Sequence, residues 1–191
     1  RVRGSLRRMT KKYEPPHLRR PGRRKKNDSA GSRSETFRMK ILALDPATHC
    51  GWAHSDGPSG TWDLSIRRDE SAGMRLIRLR GKLNELFASI GIGLCVYEAA
   101  RHAAPKMQGA LVVQSTLQGV ILLWCEENGI EYRGYSPSEI KKHATGKGNA
   151  NKATMMLMAK SRWSDVKDDN QADALWLLDL AQKQYGETNE K

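Results

Sequence analysis

Two short apolar runs, each ending on a carboxylate, constrain the fold of this chain more than any other feature. Met39-Lys-Ile-Leu-Ala-Leu-Asp45 and Ile92 to Glu98 are too short to bury a helical face, and both read as buried strands. Between them, Gly51–Ser55 and Gly60–Leu64 are two further short strands separated by Asp56-Gly57-Pro58, with a turn over Pro46–Cys50. This predicts that the first three strands form an antiparallel meander. Met74, Ile77, Leu83, Leu86 and Phe87 recur at helical spacing within Asp69–Ile90. Beyond Glu98, Gly109–Glu127 reads as a buried helix stopped by Asn128-Gly129, followed by a strand over Ile130–Tyr135. Ser136-Pro137-Ser138-Glu139 carries a helix-start pattern in which Ser136 caps and Glu139 answers. Lys141–Asn151 is polar and contains glycine, and helices are expected over Asn151–Ser161 and Asp169–Tyr185. Three strands, helix, strand, helix, strand, then helices describe a mixed α/β layer around one central sheet.

The charge is unevenly placed. Residues 1–38 hold 14 Lys or Arg against 3 Asp or Glu, a net +11, while residues 39–191 hold 19 against 18, a net +1. The formal +12 therefore belongs to the first 38 residues, and the rest is a nearly neutral domain. Arg19-Arg20 and Arg23-Arg24-Lys25-Lys26 would attract a polyphosphate by counterion release. Pro-rich and without periodicity, this stretch is expected to be a disordered basic arm, or a non-native extension with Met39 as the native start. The domain is then expected over residues 39–185, with a short tail at 186–191. No run of apolar residues reaches the length of a bilayer span, which argues against a membrane protein. Cys50, Cys95 and Cys125 form no Cys-x-x-Cys pair, so the expected setting is reducing and cytoplasmic, without a zinc site.

The chemistry is expected where acids converge. Asp45 and Glu98 close two strands that can lie side by side and parallel, and sites of open α/β sheets favour the carboxyl ends of strands. Asp168-Asp169-Asn170-Gln171-Ala172-Asp173 opens the last helix, where Asp169 and Asp173 share a face, as do Asn170 and Asp173. Singly, each acid is an ordinary turn former, cap or partner of the helix dipole. Together they would repel one another unless a cation sat between them. Hard oxygen ligands suit Mg²⁺ or Mn²⁺, and two such ions about 3.5–4 Å apart are the usual apparatus of phosphodiester hydrolysis. Asp45, Glu98, Asp169 and Asp173 are the candidate catalytic carboxylates, with Asn170 joining them as a candidate metal ligand. Arg101, His102 and Lys106 after Glu98, and Lys141, Lys142, Lys147, Asn149 and Lys152 around the Gly146-Lys147-Gly148 loop, are candidate contacts to the DNA backbone. Each of the five histidines reads first as structural, with His102 and His143 the better candidates among them for a contact to DNA. The five tryptophans are expected in the core.

These motifs resemble the RuvC-like crossover junction nucleases. The resemblance rests on Ile41-Leu-Ala-Leu-Asp45-Pro-Ala-Thr-His-Cys-Gly51-Trp-Ala, Val96-Tyr-Glu98, Leu117-Gln-Gly-Val-Ile-Leu-Leu123, Ala144-Thr-Gly-Lys-Gly-Asn149 and Asp169-Asn-Gln-Ala-Asp173, in that order. It implies an RNase H-like fold with strand order 3-2-1-4-5. It also implies a homodimer that binds four-way DNA junctions and nicks them with Mg²⁺. Two departures stand out. Asn170 occupies the place where the family commonly has an acid or histidine, with Asp169 one position earlier and preferred here as the charged ligand. No aromatic residue lies between Ala99 and Gln108 to match the family's junction-opening residue. Two rival readings remain: an RNase H-like nuclease for other branched DNA or RNA–DNA hybrids, and a DNA-binding module that has lost cutting.

Overall fold

The computed structural model describes residues 39–100 and 108–186. β1 (Ile41–Asp45), β2 (His49–His54) and β3 (Ser59–Asp63) form the antiparallel meander, and β4 (Leu94–Glu98) and β5 (Glu131–Tyr135) extend it in parallel on the other side of β1. The sheet order is β3-β2-β1-β4-β5, the RNase H-like order that the resemblance implies. The helices are α1 (Gly73–Ile90), α2 (Gln108–Asn128), α3 (Pro137–Thr145), α4 (Lys152–Arg162) and α5 (Asp169–Gly186).

The two-residue pleat decides which face each strand residue serves. Leu42, Leu44, Cys95 and Tyr97 turn to one face, where α1 and α2 cover them with Leu79, Leu83, Leu117, Ile121 and Trp124. Ile41, Ala43, Leu94 and Val96 turn to the other and meet α5, with Ile140 of α3 and Met155 of α4 joining the same core. Continuing that alternation by one step puts Asp45 and Glu98 on the α5 face. The β1–β4 register, with Leu44 opposite Tyr97, sets the two acids level with each other.

Several boundaries differ from the sequence expectation. β2 begins at His49, inside the expected turn, because the turn closes over fewer residues. α3 continues through Thr145 into the stretch read as polar loop. Its Ile140 and Ala144 are buried while the polar residues line the outside, and Gly146 ends it at φ +76°. Ser136 caps Glu139 and Glu139 answers the Ser136 amide, as the motif predicted. α2 corrects the expectation about apolar runs: by length and composition it is a helix that could cross a membrane. Here it packs as a core helix along one side, with Leu117, Ile121, Trp124 and Cys125 buried. α5 is buried nearly all round, since the sheet takes one side and α3 and α4 the other.

Candidate active site

Asp45, Glu98 and Asp173 are electrostatic neighbours, brought together by the ends of β1 and β4 and the first turns of α5. Burial, then the nearby Glu98 and Asp173, hold the Asp45 carboxyl well above its ordinary range. Glu98 is pushed up to about 7, first by burial and then by Asp173. Asp173 is pushed up to about 6, again chiefly by burial. These are the signatures of acids withdrawn from water and set against like charge.

Cations offset this only in part. Lys152 lies near Asp45 and Asp173, and Lys141 near Glu98 and Asp173, each easing the neighbouring carboxylate. Lys152 forms an ion pair with Asp169, and that contact keeps Asp169 below its ordinary range and ionised. From α2, Gln114 offers a side-chain hydrogen bond to Glu98. Among the described residues no three His, Cys, Asp or Glu side chains are gathered tightly enough to form a ready ligand set. The carboxylates form a shared negative pocket, with Asp169 engaged at its rim.

Of the other candidates, Lys141 and Lys152 flank this pocket, while Lys142, Lys147 and Asn149 are exposed on α3 and on the loop before α4. Asn170 presses its backbone against β2, where a Cβ on Gly51 would lie 1.9 Å from the Asn170 carbonyl oxygen. Arg101, His102 and Lys106 lie outside the described residues, as do residues 1–38. His143 takes the structural reading given first to each histidine: its Nε2 meets Asp179 Oδ2 at 2.7 Å and ties α3 to α5. Trp124 and Trp176 are core residues as expected, but Trp52 and Trp62 are only half-buried and stack on each other at 5.3 Å.

Sequence reasoning missed Asp168, Gln171 and Gln114. Asp168 was legible as a helix-start acid, but its second partner, Thr61, lies 107 residues away. No local pattern carries that pairing.

The donor chemistry fits divalent cations. Buried carboxylates with too little positive charge around them offer hard oxygens to an ion such as Mg²⁺. Comparison with known proteins agrees with this reading. A family model described as "Crossover junction endodeoxyribonuclease RuvC" matches residues 65–179, a span that includes Glu98, Asp169 and Asp173 and begins after Asp45. The RuvC protein of Brachyspira hyodysenteriae is 28% identical over 145 residues, covering 72% of this chain and 89% of that protein. That of Salinispora arenicola is 29% identical over 153 residues, covering 75% and 85%. Among solved structures, T. thermophilus RuvC in complex with a Holliday junction substrate superposes with a TM-score of 0.64 at 19% identity, over 79% of this chain and 96% of that one. A further Thermus thermophilus RuvC structure gives 0.60 at 19% identity, over 80% and 98%. Those structures establish the fold; the family match is independent of them and spans more than half the sequence. The chain belongs to the RuvC family of crossover junction endodeoxyribonucleases.

Proposed function

We propose that this chain is a metal-dependent endonuclease that hydrolyses phosphodiester bonds in branched DNA, with four-way junctions as its main substrate. The observation that carries the reading is the pocket formed by Asp45, Glu98 and Asp173, whose raised carboxyls mark charge that the protein alone does not neutralise. Asp45, Glu98 and Asp173, with Asp169 or Asn170, would hold Mg²⁺, as two ions, with Mn²⁺ as the alternative. Bound there, the ions would supply an activated water and charge stabilisation for the leaving oxygen. The chain's own cations do the rest. Lys141 lies near Glu98 and Lys152 near Asp45, and from there they would hold a scissile phosphate against the acids' repulsion. Lys142, Lys147 and Asn149 extend that contact along the backbone, as would Arg101, His102 and Lys106.

Residues 39–185 are taken as the catalytic unit, with the basic residues 1–38 as an arm outside it, acting in the cytoplasm. The partner protein is a second copy of the chain. On α2, Val112 (64% exposed) and Leu123 (54% exposed) leave an apolar stripe uncovered on the helix, with Gly119 between them opening room for close approach.

One observation favours a non-cutting module: Asn170 in place of an acid, with Asp169 already paired to Lys152. The same experiment decides between the readings. Labelled four-way junction, flap, plain duplex and RNA–DNA hybrid are incubated with Mg²⁺ or with chelator. Paired incisions in the junction, dependent on Mg²⁺, are expected. Cutting of the hybrid alone would move the assignment to a hybrid nuclease, and binding without metal-dependent cutting would make the chain a DNA-binding module.

A further inference from the structure

The first turn of α5 is fastened to β3, an edge strand that supplies none of the candidate carboxylates. Asp168 caps α5: its Oδ1 accepts the Gln171 amide at 2.8 Å, and the same oxygen accepts the Thr61 hydroxyl at 2.7 Å. Gln171 is buried and used at both ends of its side chain. Its Oε1 accepts the Lys167 amide at 2.8 Å, and its Nε2 donates to Ser59 Oγ at 3.0 Å. Ser59 and Thr61 are two apart on β3, so both turn to the α5 face.

The row of residues across the sheet makes this fastening consequential. Thr61 pairs with Gly51, and Gly51 pairs with Asp45. Gly51 has no side chain to hold α5 away, and the Asn170 carbonyl fills the space its Cβ would need. Thr61 at one end of this row therefore holds the helix turn that presents Asp169 and Asp173, and Asp45 sits at the other end.

Capping alone does not require this arrangement. Asp168 Oδ1 already accepts the Gln171 amide, so the Thr61 hydroxyl adds nothing to the helix itself; it fixes where the helix stands on the sheet. Further along α5 the polar ties include the Asp179 pairs to α3 and α4 and the Tyr135 hydroxyl to Gln184 near the helix end. Beside the acids the helix otherwise rests on Ala172, Ala174 and Leu177, whose apolar contacts are non-directional and tolerate sliding. Hydrogen bonds have defined lengths and angles and tolerate much less. We propose that Thr61, seconded by Ser59, is a positioning residue for the metal-dependent reaction, setting the register of Asp169 and Asp173 over Asp45 and Glu98 through Asp168 and Gln171. This rests on the two-ion reading above.

The test is Thr61→Val, which keeps the branched shape suited to a strand and removes only the hydroxyl. Ser59→Ala serves as a second, independent variant should the first fail to fold, and Thr61→Ser as the rescue. For each, Mg²⁺ is titrated against thermal stability without DNA and against junction cleavage, and junction binding is measured in chelator. Loss of a group hydrogen-bonded to a ligand typically weakens metal affinity roughly 10- to 100-fold, and Thr61, one step further out through Asp168, belongs at the low end of that range. Thr61→Val should raise the half-saturating Mg²⁺ about 10-fold in both titrations, with junction binding unchanged; Ser59→Ala should shift it less, and Thr61→Ser should restore it. A purely structural role would lower the melting temperature in chelator and leave half-saturating Mg²⁺ at the wild-type value, and that result overturns the proposal. Should the wild-type chain itself show neither a Mg²⁺-dependent melting shift nor cleavage, the two-ion reading falls and this inference falls with it. A wild-type response with an unshifted Thr61→Val removes this inference alone.

Discussion

α5 carries two aspartates of similar setting and opposite character. Asp179 is satisfied on both oxygens: His143 Nε2 meets one at 2.7 Å and Arg162 Nη2 meets the other at 2.5 Å. Arg162 also lies over the rings of Trp163 and Trp176, which hold it in place. Asp173, six positions earlier on the same helix, faces Asp45 and Glu98 across the sheet end and is pushed up to about 6. Both acids are largely sheltered from water, so burial does not separate them. Their partners do: one carboxylate is matched by cations of this chain, and the other is set against more carboxylates. A fold under selection for stability alone would pair both, and the unmatched group marks where an external charge belongs.

The largest expected effect comes from breaking the unmatched side. Asp45→Asn or Glu98→Gln should lower junction cleavage by on the order of 10³-fold or more, the several kcal/mol that a metal's charge supplies to the transition state. Junction binding in chelator should be unchanged by gel shift. The same substitutions should raise metal-free stability, because each removes a buried charge that faces like charge. Loss of both fold and binding in these variants would show the side chains to be structural.

The matched side should behave in the opposite way. Asp179→Ala leaves Arg162 and His143 without their carboxylate, and removing one partner from a sheltered ion pair costs about 3 kcal/mol. Arg162 is 54% exposed on its side chain, so water recovers part of this, and a loss of about 2 kcal/mol in denaturant unfolding is expected. The loss should be equal with Mg²⁺ and with chelator, and half-saturating Mg²⁺ should not move. A metal-dependent loss would mean that Asp179 belongs to the site after all.

How far the sequence reveals this contrast depends on range. Asp45 and Glu98 were legible because an acid ending an apolar strand is a local signal, and the pleat alone assigns both to one face. The Asp169–Asp173 spacing was legible for the same reason. Helical spacing in the sequence marks an α5 stripe of Ala172, Leu175, Trp176 and Leu180, but Ala174, Leu177, Leu178 and Ala181 are buried too. Their burial depends on α3 and α4 closing over the far side of the helix, which helical periodicity cannot report. For His143 the sequence offers a structural role or a contact to DNA without naming a partner for either. Its partner lies 36 residues on, and only the packed fold pairs them. Long-range polar pairs escape pattern reading, and in this chain such pairs form both the Asp179 cluster and the Asp168 fastening.

Proton linkage sharpens the comparison without any substitution. Glu98 at about 7 and Asp173 at about 6 stand above their ordinary values of 4.5 and 3.8, so between about pH 4 and 7 the folded chain holds protons that the unfolded chain has released. Stability in chelator should therefore be greatest at the acid end of that window and fall as pH rises through it, by on the order of several kcal/mol in all. Saturating Mg²⁺ should flatten or reverse the slope, since the ion binds the ionised carboxylates. Chemical denaturation at pH 5, 6 and 7, with and without Mg²⁺, measures this. A chelated protein that gains stability from pH 5 to 7 would mean that the cluster is not strained.

The smallest effect concerns the rim of the pocket, where the matched and unmatched patterns meet. Asp169 is ionised and paired to Lys152, a lysine that also faces Asp45 and Asp173. If Asp169 serves the ions, Lys152 must release it when they bind, and the released ammonium is then free to hold the phosphate. Asp169→Ala should accordingly slow cleavage about 10-fold and raise half-saturating Mg²⁺, in the range typical of a lost metal-site group. Asn170→Ala should change either quantity only a few-fold, because the residue's visible structural contribution is its backbone carbonyl against Gly51, which the substitution keeps. The reverse ranking, with Asn170→Ala the more damaging, would make the Asn170 amide the fourth ligand. Asp169 would then be a matched acid like Asp179, with Lys152 as its permanent partner.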